Sequence, residues 1–268
     1  MIQQILNNAP LFLLIFGRCL GMIFTLPLFS TRSVSRVAKI GFAGFVSYLL
    51  IPFANFSQYG SVILGDGVFS LYYIFLLIGE ILIGVIIGFY VSIIFAAFST
   101  AGQFLAFQMG FSAASAYDTL SQVENPLLGQ YFNFVAILVF LQNEWFQKLF
   151  IQGLSNSLKS LNVFGLIENS QATVKFLLKS LSNLFADALI ISLPVMGTLF
   201  LITVCTGLLS KAAPDMNLLS EGFPIMLIVA FSLLFYLMPV LCNFFVKSFN
   251  TGFTTLISFI NSFLPGGK

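Results

Sequence analysis

The sequence contains no histidine and only three cysteines, Cys19, Cys205 and Cys242, each in a separate apolar stretch. Without histidine, the common zinc sites, Cys-His nucleophiles and Ser-His-Asp triads lack a ligand or base, and three scattered thiols make no disulfide framework. Charge is the second scarcity: Lys+Arg 11 and Asp+Glu 9 amount to 7% of 268 residues, against roughly 25% in soluble domains. That is too little to cover a water-facing surface, and with 59% hydrophobic residues most side chains must face lipid or other protein. A net charge of +2 selects no acidic partner. Nor is there a basic stripe with exposed aromatics of the kind that binds nucleic acid; the 34 Phe run through the apolar stretches instead. There is no Gly-rich phosphate loop, no HExxH and no paired intramembrane Asp, and Ser210-Lys211 is a dyad on paper only. The expected class is all-α: a polytopic membrane protein without cofactor, metal site or enzymatic chemistry.

About six apolar segments have the length scale of a bilayer crossing: Ala9 to Phe29, Ile40 to Phe56, Phe69 to Thr100, Pro126 to Leu141, Phe176 to Leu209 and Phe223 to Val246. The first lacks a basic start and a small-residue cleavage site and carries Arg18, so it reads as a retained span. No soluble domain interrupts the series, and the chain 1–268 reads as one integral membrane domain divided near residue 125. The third segment is too long for a hydrocarbon core of about 30 Å, so it either breaks and re-enters or is wrapped by other protein. Charge gives a conflicted orientation. Arg32, Arg36 and Lys39 place the first loop in the cytoplasm, yet the same count leaves Lys148, Lys159 and Lys175 outside. Helices held by neighbouring subunits are one way to break that rule.

Arg18, Glu80 and Asp187 interrupt apolar spans. A mid-bilayer charge costs at least about 2.5 to 3.5 kcal/mol, so such groups face a bundle interior, a partner or water. They read either as an ion relay or, favoured because the three are isolated, as a structural pair of Arg18 with Glu80 or Asp187. Small residues follow Glu80 at four-residue spacing, Gly84, Gly88, Ser92, Ala96 and Thr100, and Gly17 and Gly21 flank Arg18; both make ridges suited to close helix crossing. From Gly102 to Pro126 the chain turns small and polar, through Gln108, Met109, Gly110, Phe111, Ser112, Tyr117 and Asp118. This is either a re-entrant constriction, with Met109 and Phe111 as stoppers, or an ordinary loop. The last two segments read as a hairpin with Pro194 and Pro239 inside its helices. Its tip carries Lys211, Pro214, Asp215, Glu221, Gly222, Phe223 and Pro224.

Four of these stretches together resemble the FliR family, the export-gate subunit of flagellar and virulence type III secretion (SctT in the latter). They are Arg18 with Pro27-Leu28-Phe29 and Arg36 to Lys39; Gly79-Glu80 with Gly84 and Gly88; Ala101-Gly102-Gln103 with Gln108 to Ser112 and Asp118; and Leu193-Pro194 through Gly207-Leu208-Leu209, Ala213-Pro214, Asn217 and Gly222-Phe223-Pro224. The chain departs from the family pattern at Val34-Ser35, Gln103, Asp118-Thr119 and Asp215. The resemblance implies a single-copy subunit joined to FliP and FliQ, near FlhB and FlhA, in the flagellar basal body of the bacterial inner membrane. It implies a plug at about Phe111 to Asn125, and passage of unfolded flagellar substrates. It also implies helices wrapped by neighbouring subunits, which fits the over-long third segment. The competing reading is a small secondary transporter with Arg18, Glu80 and Asp187 along its path, although no internal repeat is visible.

Overall fold

The computed structural model describes residues 2–30, 34–54, 71–111, 127–212 and 218–263, with the side chains of 2–8, 30, 212, 218–221 and 223 left aside. Among the described residues there is no strand. Six helices carry the fold: α1 (Ile2–Thr25), α2 (Arg36–Leu50), α3 (Leu71–Gln108), α4 (Leu127–Gln142), α5 (Ser170–Ala212) and α6 (Leu218–Asn261). In a medium that offers no hydrogen bonds, a helix satisfies its own backbone, which is why the apolar segments all take this form. Start signals are local. The Ser35 hydroxyl accepts from the Ala38 N–H at 3.2 Å to open α2. Asn162 likewise accepts from Gly165 N–H at 2.6 Å to open a short helix, Val163–Glu168.

The third segment does not break: α3 runs unbroken for 38 residues, about 57 Å. Gly102, expected at the start of a non-helical stretch, lies inside it. α5 and α6 are longer still, at 43 and 44 residues, and take in Lys211 and Gly222 to Pro224, which the sequence suggested for a turn. Between α4 and α5 the chain forms a series of short helices: Trp145–Lys148, a π-helical turn Leu149–Leu154, Ser155–Ser160 and Val163–Glu168. The α4 axis bends by 74° into Trp145–Ser160, through Glu144 in the left-handed region at φ 57. By length and apolarity four described helices can cross a membrane, or five if that bent pair is one span. Ala9–Thr25 is shorter than the rest. The protein is a polytopic all-α membrane protein.

The chain forms two compact units, neither a continuous half. The first comprises Met1–Ile93, Asn143–Ser180 and Asn250–Lys268. In it α1 packs on α2, and Phe29, Phe42, Phe146 and Phe150 make one ring cluster with centroids 4.8 to 6.1 Å apart. Phe176 stacks between Tyr90 (4.8 Å) and Phe259 (4.1 Å). Two of the cations used above for orientation sit over rings, Lys39 on Phe24 at 5.7 Å and Lys159 on Phe53 at 5.5 Å. The second unit comprises Ile94–Gln142 and Leu181–Phe249. Its centre is aromatic: Phe95 meets Phe140 at 5.2 Å and Phe245 at 5.6 Å, Phe98 meets Phe245 at 4.6 Å, and Phe140 meets Phe249 at 4.8 Å. Such pairs are worth about 0.5 to 1.5 kcal/mol each beyond their buried area.

Candidate functional site

The crossing of α1 on α3 begins with missing side chains. A Cβ at Gly84 would collide with the Arg18 carbonyl, one at Gly21 with the Ile81 carbonyl, and one at Gly88 with Thr25 Oγ1 and the Met22 carbonyl. The two backbones therefore touch along the ridge of small residues, as close-crossing membrane helices do. Because Gly84 holds the Arg18 backbone, the arginine side chain emerges one turn lower on α3, where Glu80 occupies the same face four residues before Gly84.

There the two charges are wholly enclosed, both side chains at 0% exposure. Arg18 Nε donates to Glu80 Oε2 at 2.7 Å, and Nη2 reaches the same oxygen at 2.6 Å. The rest of the guanidinium turns to the short helices after α4: Nη1 donates to Ser157 Oγ at 3.2 Å and Nη2 to the Leu161 carbonyl at 2.9 Å. Leu161 ends Ser155–Ser160, so Arg18 satisfies a carbonyl at a helix C-terminus. The Ser157 hydroxyl in turn donates to the Leu154 carbonyl at 2.7 Å. Next to Glu80, Gly79 leaves room for Val163, whose side chain a Cβ there would strike. One arginine thus ties α1, α3 and the bent segment. A buried charge holds its place only when paired and fully hydrogen-bonded, and among the described residues no buried side-chain polar atom lacks a partner.

Asp187, the other candidate for pairing with Arg18, accepts from Ser248 Oγ at 2.9 Å in the second unit and is half-buried. Gln108 closes α3. Met109 and Gly110 make the turn that ends it, with Met109 N–H donating to the Leu105 carbonyl (2.9 Å) and Gly110 N–H to that of Phe107 (3.1 Å). Gly110 has φ 83, the left-handed helix-terminating conformation that favours glycine. Met109 is fully buried within its own chain, and Phe111 is half-buried. Ser112, Tyr117, Asp118 and Pro214 lie outside the described residues. Lys211 is exposed in the last turn of α5 and Pro224 is exposed in the first turns of α6. Gly222 is half-buried, and the Phe223 side chain is not described.

Sequence reasoning missed the partners on the bent segment, Ser157 and Leu161, for which no local signal exists. It also missed a second close crossing, in the second unit: a Cβ at Gly102 would press on the Leu128 carbonyl and Gly129 Cα at 2.6 to 2.8 Å, and one at Gly129 on the Ser99 carbonyl at 3.1 Å. Gly102 was legible only as the first residue of the small, polar stretch and as part of the Ala101-Gly102-Gln103 motif.

Comparison with known proteins bears on this arrangement. Residues 9–252 match the family model described as bacterial export proteins, family 1. The chain is 32% identical to the flagellar biosynthetic protein FliR of Escherichia coli, over 91% of this chain and 90% of that protein. It is 31% identical to that of Bacillus subtilis, over 89% and 90%. It is also 30% identical to the surface presentation of antigens protein SpaR of Shigella sonnei, over 82% of each. With a family model covering most of its length and full-length relatives at this identity, the chain belongs to the FliR family of bacterial export proteins.

Proposed function

We propose that this chain is the single-copy structural and gating subunit of a flagellar type III export gate in the inner membrane, forming a protein-conducting channel with FliP and FliQ next to FlhB and FlhA. Unfolded flagellar proteins are its passengers. The observation that carries the reading is the mismatch between helix length and bilayer. Helices of 38, 43 and 44 residues are about twice as long as a hydrocarbon core of about 30 Å requires, and they leave many large apolar side chains exposed. Unbroken helices of this length are stable where neighbouring subunits cover what lipid does not. The buried Arg18–Glu80 tie suits a rigid scaffold: with every side-chain nitrogen of Arg18 engaged and no exposure, neither charge is open to a transported ion. That argues against the transporter reading.

In this proposal the segment from Phe111 to Asn125 plugs the closed pore and is rooted at the Met109-Gly110 turn, where a fully buried Met109 and a left-handed Gly110 fix where the segment leaves α3. The chain has no chemistry of its own.

The deciding experiment is native mass spectrometry of the detergent-extracted complex, captured through a tag on this chain after co-expression with its neighbouring membrane genes. One copy among several copies of smaller hydrophobic subunits is expected; a stable monomer or homodimer without partners would refute the gate reading. Short deletions within 111–122 should make the closed complex leak ions. Deletions that neither leak nor alter export would remove the plug.

A further inference from the structure

The first turns of α5 carry two exposed surfaces of opposite character on one continuous helix. Val174, Leu178, Leu181 and Phe185 are exposed at 55%, 61%, 41% and 52%. Their spacing of four, three and four residues gathers them into a stripe about 60° wide, since each residue advances about 100° around the helix. That is the spacing of a coiled-coil seam, in which each apolar side chain inserts between residues of a facing helix. Single exposed leucines are ordinary on a folded protein, whereas four apolar side chains in seam register form a contact surface.

The two flanks of the stripe differ. On one side Leu177 is half-buried and Leu184 buried, so a helix laid along the stripe would border this chain's own packing there. On the other side stand Gln171, Lys175, Lys179, Ser182 and Asn183. Every exposed residue from Ser170 to Ala186 outside the stripe is polar or alanine. Neither lysine forms an ion pair among the described residues. The exposed acid Glu168 lies before α5 begins, and Asp187, the next acid along the helix, is already engaged by Ser248 at 2.9 Å. The chain therefore offers a narrow apolar seam with uncompensated positive charge along its open edge.

We infer that this stripe docks an amphipathic helix of another protein, whose apolar side fills the seam and whose Asp or Glu residues pair with Lys175 and Lys179. Lipid does not fit. The stripe is about 17 Å long at 1.5 Å per residue, against a hydrocarbon thickness of about 30 Å, and a helix facing hydrocarbon is apolar around its whole exposed side, where Lys175, Lys179 and Asn183 would stand without partners. A second copy of the same stripe does not fit either, because it would bring lysines against lysines. Charges beside an apolar seam select the partner's charge, as flanking residues do between coiled-coil helices. The inference rests on the surface of α5 and not on the export reading, so failure of one leaves the other standing.

The test is photo-crosslinking of the full chain in living cells, with p-benzoylphenylalanine in place of Leu178 or Leu181, or of Asn183 as a control on the polar side, and with each attachment site mapped by tandem mass spectrometry. Both stripe positions should attach to one segment of one protein, with apolar residues at heptad spacing and Asp or Glu beside them, and with a higher yield than position 183. Lys175→Glu combined with Lys179→Glu, both at exposed sites, should lower that yield by about fivefold. Changing the mapped carboxylates to Lys in the reversed background should restore it. Attachment to lipid, to a second copy of this chain or to a segment without carboxylates would overturn the proposal, as would a yield no higher than at 183 or a charge reversal without effect. If the doubly reversed chain fails to accumulate, Lys175→Gln alone takes its place; a smaller loss of yield is expected, and an unchanged yield would again overturn the proposal.

Discussion

Glu80→Gln is the sharpest perturbation of the Arg18 tie. The substitution keeps the shape and leaves an amide oxygen within reach of Arg18 Nε, but it strands a guanidinium at zero exposure without its counter-charge. Breaking a buried pair from one side costs about 3 to 5 kcal/mol. The retained acceptor puts Glu80→Gln near the low end, about 3 kcal/mol, or roughly a hundredfold in the folded fraction. Arg18→Met should cost more, because it takes the counter-charge from a buried carboxylate and also the donor from the Leu161 carbonyl, the latter worth about 1 to 3 kcal/mol. Removing both charges together, Arg18→Met with Glu80→Leu, leaves no unpaired charge at the crossing and should fall within about 2 kcal/mol of the parent, since apolar replacements of buried pairs are often neutral or stabilising. With Glu80→Leu as the matching single variant, costing at least as much as Glu80→Gln, the two sites should show a coupling of about 4 kcal/mol or more, far outside the roughly 0.5 kcal/mol scatter of independent sites. Graded heating in mild detergent, read as the monodisperse fraction by size-exclusion chromatography, ranks the parent, the three single variants and the double, and recovery of the captured complex gives the parallel functional readout. Additive losses would refute the structural tie. Glu80→Gln with full assembly but no transport would instead favour the transporter.

Glycine positions supply an internal control. Gly21→Ala and Gly84→Ala push a Cβ into backbone of the facing helix and should destabilise by about 1 to 3 kcal/mol, whereas Gly41→Ala and Gly197→Ala meet nothing within 4 Å and should be neutral or stabilising by up to about 1 kcal/mol; the same heating assay compares them. Glu144 sits at φ 57, so Glu144→Gly should raise stability by about 1 kcal/mol and Glu144→Val should lower it; equal midpoints would deny strain at the corner. Gly110→Val, at φ 83, should cost at least about 1 kcal/mol while Gly110→Asn costs less, and in cells expressing the complex the valine variant should reduce motility or raise ion leak ahead of the asparagine variant.

Much was legible in the sequence because the bilayer is a severe solvent. Scarce charge and long apolar runs determine a polytopic helical membrane protein, a small-residue ridge on α3 marks a helix contact, and a charge within a span must find a partner. Each of these follows from composition and local spacing alone. Tertiary structure decided the rest, since it depends on which distant surfaces meet. Arg18 chose Glu80 and not Asp187 because the α1–α3 glycines bring their backbones into contact. Its remaining donors went to Ser157 and Leu161, on a segment whose 74° bend turns on one left-handed glutamate. Gly102, read in the sequence as the start of the small, polar stretch, lies inside a helix at a close crossing, where the backbone of Leu128 and Gly129 occupies the place of a side chain. The apolar segment legible in the sequence stopped at Val246; only the packed structure shows that α6 continues to Asn261 with one side buried and an exposed side that turns polar from Asn243 onward.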